Sequence, residues 1–271
     1  MAKPAPPASP RLLGGALGSG PTAFVDVVTW KGRPAVRLSR SASGIALLSF
    51  DQRLVRLRLH SGTIDAGATG WRFGPSILGL ERRRLVAAFN GGFRLSVGAG
   101  GFMSYGRVAV PLQNGLGSIV TYADGATDVG AWRGEVPGPG RPVVSVRQNL
   151  PLLVDHGRVA GAVDCDSCWG ATLGGVSDPA RSALGITAGG RLIWAGGEHL
   201  TVADLADALV SAGVVRAVEL DINPEWVAGY LYGHRGGADP PAPVPVVPGQ
   251  NGIPGQFLAP WSRDFFAVQA R

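Results

Sequence analysis

The stretch Val214-Val215-Arg216-Ala217-Val218-Glu219-Leu220-Asp221-Ile222 carries the strongest structural signal in the chain. Side chains alternate between the two faces of a strand, so the apolar residues from Val218 onward share one face and Glu219 and Asp221 share the other. One strand repeat would separate the two Cα atoms by roughly 6.5–7 Å. The strand must stop near Pro224, because proline donates no ladder hydrogen bond. The stretch therefore predicts a buried strand with two acidic side chains near its carboxyl end.

A helix is predicted immediately before this strand. Thr201 is a suitable N-cap, and Asp204 three residues later forms a capping-box variant. Apolar residues recur at helical spacing between Val202 and Val210. Gly213 provides a C-terminal cap. The sequence therefore predicts a helix over 201–212 that packs its apolar side on a sheet.

Working outward, short apolar runs alternate with glycine-containing turns. Ala183–Thr187 and Arg191–Ala195 flank Ala188-Gly189-Gly190, which indicates a hairpin. Further strands are expected at 46–50, 54–59, 85–89, 118–122, 152–154 and 265–269. We therefore expect an α+β fold, a single domain over 23–271 with mixed or antiparallel β-sheets and few helices. Residues 1–22 form a Pro/Ala/Gly-rich segment that we expect to be flexible, and 239–256 a Pro-rich surface loop.

Composition narrows the classes of partner. Hydrophobic residues make up 45% and charged residues 16% of the 271 residues, which indicates a globular chain. No apolar run reaches the ~18 residues of a membrane helix, and no signal peptide is visible. The net charge of +6 favours anionic partners. The arginines are scattered apart from Arg82-Arg83-Arg84, which we interpret as a surface turn, so no nucleic-acid partner is predicted.

The two cysteines, Cys165 and Cys168, are three positions apart. A structural zinc site normally needs four ligands, and the chain has no second cysteine pair. The pattern predicts a local disulfide if the protein is exported and two inert thiols if it is not.

Three segments could carry chemistry. Two neighbouring carboxylates, Glu219 and Asp221, tend to have pKa values pushed apart, as an acid–base pair requires. They could instead face water or pair with arginines. Asn90-Gly91-Gly92 could bring backbone N–H groups to an anion, or form an ordinary turn. Arg181 could clamp a phosphate or be a surface charge. The sequence contains no nucleophile elbow, zinc-protease motif or phosphate-binding loop signature.

Taken in order, these segments resemble the phosphodiester glycosidase family over about residues 45 to 271. The matching stretches are Asn90–Phe93, Pro151–Gly157, Arg181–Gly185, the 201–212 helix, Glu219–Asp221 and Arg263–Phe266. By position, the resemblance assigns the family's Asn-Gly-Gly to Asn90, Gly91 and Gly92, its Arg-[Thr/Ser]-Ala element to Arg181 and Ser182, and its aspartate to Asp221.

The loop after Asp221 departs from the family pattern. The family usually has Gly-Gly-Gly-Ser there, whereas this chain has Ile222-Asn223-Pro224-Glu225-Trp226. The substitution is similar to a subgroup of exported bacterial proteins. Trp226 could stack on a sugar ring or belong to the core.

The resemblance implies a hydrolase of a sugar-1-phosphate diester, or a related glycosidic linkage, in a secreted or cell-surface setting. Asp221 and Glu219 would share the acid–base or cation-stabilising roles. The substrate-binding set would be Asn90, Gly91, Gly92, Arg181, Ser182, Asn223 and Trp226. No cofactor or metal ligand is assigned, although hard acidic oxygens could hold a divalent cation. The alternative is a non-catalytic carbohydrate-binding surface protein on the same fold.

Overall fold

The computed structural model describes residues 9–13, 22–170, 175–176, 178–234 and 241–271. Its strands, β1 to β19 in chain order, are Arg11–Leu12, Thr22–Trp30, Arg33–Arg40, Ala46–Phe50, Val55–His60, Leu85–Asn90, Phe102–Ser104, Arg107–Val110, Gly117–Tyr122, Thr127–Ala131, Val143–Gln148, Val154–Asp155, Arg158–Val159, Arg181–Thr187, Leu192–Gly197, Val214–Glu219, Gly229–Gly233, Ala242–Pro245 and Phe265–Ala270. The α-helices are α1, Leu80–Arg84, and α2, Val202–Ser211. Short 3₁₀ turns cover Leu95–Val97, Asp166–Trp169 and Gln256–Leu258.

The strands form three sheets. The largest has nine strands in the order β1-β2-β3-β4-β15-β14-β16-β12-β13. Two five-stranded sheets have the orders β10-β9-β11-β7-β8 and β18-β17-β6-β19-β5. The neighbouring strands near the site, β14, β15, β16, β6 and β19, all pair antiparallel. The predicted α+β class, rich in antiparallel sheet and poor in helix, is confirmed.

The nine-stranded sheet packs on both faces. Leu184 and Val218 face the central core, where side chains from the three sheets meet. Ala183 and Ala217, their neighbours in sequence, face the opposite way and pack with α2 through Leu205. The alternating pattern of the sequence therefore places β14 and β16 between the central core and the helix.

The predicted local elements agree well with the structure. The Thr201 side chain accepts a hydrogen bond from the Asp204 N–H, and Asp204 in turn accepts one from the Thr201 N–H, so the capping box is complete. The hairpin of β14 and β15 is formed with Ala183 opposite Ala195. The strand predicted over 214–222 ends at Glu219, although the backbone of the next two residues still bonds to Ser182.

The Pro-rich segment differs from the expected surface loop. Ala242–Pro245 forms an edge strand on β17, and Val246 and Val247 are buried in the central core. Proline is tolerated on an edge strand because its missing donor faces away from the ladder. Burial of the two valine side chains stabilises the packing of this segment against the core. Residues 235–240, and most of the expected flexible segment 1–22, lie outside the described residues.

Candidate active site

Asp221 lies just beyond the carboxyl end of β16, and its carboxylate orientation is set by three donors. Oδ1 accepts hydrogen bonds from the backbone N–H groups of Ile222, at 2.8 Å, and Asn223, at 2.9 Å. Oδ2 accepts one from Arg263 Nη2 at 2.9 Å. Burial raises the pKa of Asp221 above its ordinary value, outweighing the opposing effects of Arg263 and the two backbone N–H groups.

Arg263 lies between two carboxylates. Its guanidinium pairs with Asp221 on one side and with Asp65 on the other. Nη2 also donates to the Gly92 carbonyl at 3.0 Å, and the group lies 5.3 Å from the Trp226 ring centre. Asp65, Arg263 and Asp221 therefore form one buried ionic cluster that spans residues far apart in sequence.

Two adjoining cavities open beside this cluster. The first, which we call the Asp221 cavity, has a volume of about 600 Å³, and Asp221 and Asn223 line it. The second, the Asp65 cavity, measures about 680 Å³ and is lined by Asp65 among others. Three residues line both cavities: Arg94, Trp226 and Arg263. We refer to the two cavities together as the cleft.

Glu219 and Arg181 do not reach the Asp221 cavity. Arg181 Nη1 donates to Glu219 Oε1 at 2.8 Å, and the arginine also donates to the carbonyls of Leu200 and Trp169. Glu219 is fully buried. Burial raises its pKa to about 8, against the attraction of Arg181. The structure thus pairs Glu219, which was predicted to be catalytic, with Arg181, which was predicted to bind substrate, and places both inside the protein.

Asn90 and Ser182 lie behind Asp221. Asn90 Nδ2 donates to Ser182 Oγ at 2.9 Å, and Ser182 Oγ donates to the Asp221 carbonyl at 3.0 Å. Asn90 Oδ1 accepts from the Ala228 N–H at 3.3 Å. Both residues lie close to Asp221, but Ser182 contacts only its backbone and Asn90 reaches it through Ser182, so the two residues tie β6 and β14 to the end of β16.

Gly91 and Gly92 pack against a second buried ion pair. Arg147 Nε donates to Asp264 Oδ2 at 2.8 Å, and the Gly91 N–H donates to the Asp264 carbonyl at 3.0 Å. A Cβ on Gly91 would lie 2.1 Å from Asp264 Oδ2, and one on Gly92 would lie 3.0 Å from Arg147 Cζ. The close approach explains both glycines, and it leaves the Gly91 N–H engaged internally rather than offered to an anion.

The loop after Asp221 does reach the cleft. Asn223 Oδ1 accepts from the Glu225 N–H at 3.0 Å, which closes a turn. Trp226 is partly exposed and stands edge-on to Trp261, with 5.6 Å between ring centres. The tryptophan therefore lines both cavities and is not a core residue.

Other groups complete the surroundings. Cys165 and Cys168 form a disulfide, and Cys168 lines the Asp221 cavity. The described residues contain no group of three or more potential His, Cys, Asp or Glu metal ligands. None of the described helices is long and apolar enough to cross a membrane.

No role was predicted from the sequence for Asp65, Arg94 or Arg263. Arg263 is the first residue of the matched stretch before β19, and Arg94 directly follows the matched stretch Asn90–Phe93. Both arginines could therefore have been identified from their positions in or beside a motif. Asp65 has no comparable local signal, because its pairing with Arg263 depends on contacts distant in sequence.

Comparison with known proteins gives a similarity of fold. No family model matches the sequence, and no curated protein matches it. A hypothetical protein from Synechocystis aligns at 14% identity over 92% of this chain and 61% of its own, with a TM-score of 0.45. The catalytic domain of zebrafish N-acetylglucosamine-1-phosphodiester alpha-N-acetylglucosaminidase, auto-inhibited by its pro-peptide, aligns at 16% identity over 89% of this chain and 85% of its own, with a TM-score of 0.52. The chain is therefore similar in fold to a phosphodiester glycosidase catalytic domain.

Proposed function

We propose that this chain hydrolyses a sugar-1-phosphate diester, or a related glycosidic linkage, with Asp221 as the reacting carboxylate. The observation that carries the proposal is the position of Asp221, which lines a cavity of about 600 Å³ together with Arg94 and Arg263. The fold similarity to a phosphodiester glycosidase domain supports the same reaction class.

The chemistry assigns a role to each charged group. Water adds to the anomeric carbon while the bond from that carbon to the phosphate oxygen breaks, and a phosphomonoester leaves. Asp221 acts as acid–base group or stabilises the positive charge that develops on the sugar. Its raised pKa brings proton exchange closer to working pH. Arg94 neutralises the departing phosphate. Arg263 holds Asp221 and Asp65 in place, and Asp65 is the second carboxylate at the cleft.

Glu219 and Arg181 receive a positioning role in this proposal. Their ion pair joins β16 to β14 at the point where Asp221 leaves the strand. Ser182 donates a hydrogen bond to the Asp221 carbonyl, and Asn90 in turn donates one to Ser182. These four residues therefore set the direction of the reacting carboxylate without contacting substrate.

A secreted or cell-surface substrate is consistent with two features. The Cys165–Cys168 disulfide is typical of proteins outside reducing compartments. The net charge of +6 favours anionic polymers. We therefore propose a phosphate-linked glycan of a cell surface or extracellular glycopolymer as the substrate class.

The second candidate is a non-catalytic carbohydrate-binding protein. One observation favours it: both oxygens of Asp221 already accept hydrogen bonds from within the protein. A carboxylate with this many internal donors can serve to shape the loop without exchanging a proton.

One assay separates the two candidates. Sugar release from N-acetylglucosamine-1-phosphate diesters and from purified wall glycopolymers is compared between wild type and the variant Asp221→Asn. We expect a loss of about 10²–10⁴-fold in kcat, the usual contribution of an acid–base group. Glu225→Gln is the matched control, because Glu225 is exposed in the same loop.

Arg94→Ala tests the anion-binding role and should raise KM for the charged diesters. Undiminished turnover in Asp221→Asn would reject Asp221 as the reacting group. Measurable glycan binding without turnover of any substrate would establish the binding protein instead.

A further inference from the structure

We propose that the Asp65 cavity binds an aliphatic alcohol portion of the substrate, so that the preferred substrate is an alkyl ester of a sugar phosphate. This inference rests on the proposed function, since it places the sugar in the Asp221 cavity and the phosphate at the junction.

The lining of the Asp65 cavity combines charged side chains with aliphatic ones that are open to solvent. Ile64 is 76% exposed and Val108 is 51% exposed, and both line this cavity. Isolated exposed apolar residues need no explanation, but two at one concave site mark a surface that gains free energy when covered. Leu95 and Val110 extend the same apolar wall inward.

The two aromatic rings that line the Asp65 cavity, Trp71 and Trp226, each have a guanidinium close by. The Arg107 guanidinium lies 4.3 Å from the centre of the Trp71 ring, and Arg263 lies over Trp226. Trp71 packs against the central core as well. A sugar ring usually needs an open aromatic face and several free polar partners. In the Asp65 cavity both aromatic rings have a guanidinium close by, whereas the aliphatic side chains of its lining are uncovered at Ile64 and Val108, which favours an alkyl group over a second sugar.

Arg94 sets the polarity of the cleft. The side chain is exposed and lines both cavities. Asp65 and Arg263 are already paired with each other, whereas the Arg94 guanidinium has no hydrogen bond or ion pair with any other residue that the structure describes. A phosphate bound at Arg94 would have one ester arm in each cavity. The arm beside Asp221 must be the sugar, so the other arm lies against Ile64 and Val108.

The test compares two substrates that differ only in this arm. Methyl and octyl diesters of N-acetylglucosamine-1-phosphate are assayed below the aggregation concentration of the octyl compound. Each buried methylene contributes enough for about a fourfold gain, so even partial burial should make kcat/KM for the octyl ester at least about tenfold higher. The double variant Ile64→Thr, Val108→Thr should reduce the octyl-to-methyl ratio at least about threefold.

Ile253→Thr is the control, because Ile253 is 62% exposed and lines neither cavity; it should keep the wild-type ratio. Equal kcat/KM for the two esters would overturn the alkyl proposal while leaving the hydrolase intact. If neither ester is hydrolysed, the proposed function is rejected. The inference about the Asp65 cavity is then tested by calorimetry of alkyl phosphate binding. Octyl phosphate should bind more tightly than methyl phosphate, and the double variant should remove the difference; equal binding in wild type would overturn it.

Discussion

Glu219 and Asp221 are two residues apart, yet the structure gives them different environments. Glu219 is sealed inside the protein with Arg181, whereas Asp221 lines a cavity and pairs with Arg263. The difference arises because β16 ends at Glu219 and the chain then turns. Of these two neighbouring carboxylates, one is enclosed beside an arginine and the other borders a cavity.

The buried Glu219 predicts a pH dependence of stability. Its pKa in the folded protein is raised from 4.5 to about 8, so the folded state keeps a proton that the unfolded state loses. The contribution of Glu219 to the free energy of unfolding is fully present below about pH 4.5, and it declines as the pH rises from there towards about 8. Glu219→Gln removes the titration. We therefore expect the unfolding free energy of wild type to fall relative to that of the variant over this interval, as measured by urea denaturation.

The exposed Glu225→Gln variant controls for loss of a carboxylate in general, and its profile should run parallel to wild type. Parallel profiles for wild type and Glu219→Gln would show that burial does not raise the Glu219 pKa.

The segment Asn90-Gly91-Gly92 illustrates how a short connection depends on its packing. It leaves the buried strand β6 and passes directly over Asp264 and Arg147. The φ angles of Gly91 and Gly92 lie outside the left-handed region. Glycine is therefore required at these positions because a Cβ would be too close to its neighbours, and not because of the backbone conformation.

Gly91→Ala is expected to destabilise the protein by about 1–3 kcal/mol, the usual cost of overpacking a filled interior. The new Cβ would lie 2.1 Å from Asp264 Oδ2 and 2.7 Å from the Asp264 carbonyl oxygen, so the buried ion pair with Arg147 must shift. Urea denaturation measures the change.

Gly161→Ala is the matched control, because Gly161 is exposed and has nothing within 4 Å of the position a Cβ would take. It should stay within about 0.5 kcal/mol of wild type. An equally small effect at Gly91 would mean that the segment is free to move away from Asp264.

The last strand, β19, connects the site to the whole molecule. It lies between β6 and β5 and directly follows Arg263 and Asp264, which pair with Asp221 and Arg147 respectively. Phe266 points into the central core, 5.5 Å from the ring centre of Phe89. The core and the site therefore share one short segment near the end of the chain.

Phe266→Ala should cost about 3–5 kcal/mol, because it leaves a cavity where the three sheets meet. We expect far-UV and near-UV circular dichroism to report one coincident thermal transition, shifted to lower temperature. Val25→Ala, at a position that is 50% exposed, should change little. Two separated transitions in Phe266→Ala would show that the sheets unfold independently.

The sequence alone determined the elements whose signals are local. The capping box and apolar spacing predicted α2, and the glycine turn predicted the β14–β15 hairpin. Alternation predicted which residues of β16 share a face. These patterns depend on neighbours within a few residues, so no tertiary information was required. Asp221, Asn223 and Trp226 were also identified from the sequence, and all three line the cleft.

Only the tertiary structure decided which charges meet. Arg181 and Glu219 could equally have faced a ligand, but pairing of β14 with β16 brings them together inside the protein. Asp65, Arg94 and Arg263 join Asp221 at the cleft through contacts between segments distant in the chain. Periodicity and capping describe which face a side chain takes, but they carry no information about its partner. Burial and charge pairing are set when separate segments pack, and they decide which carboxylate is left beside a cavity.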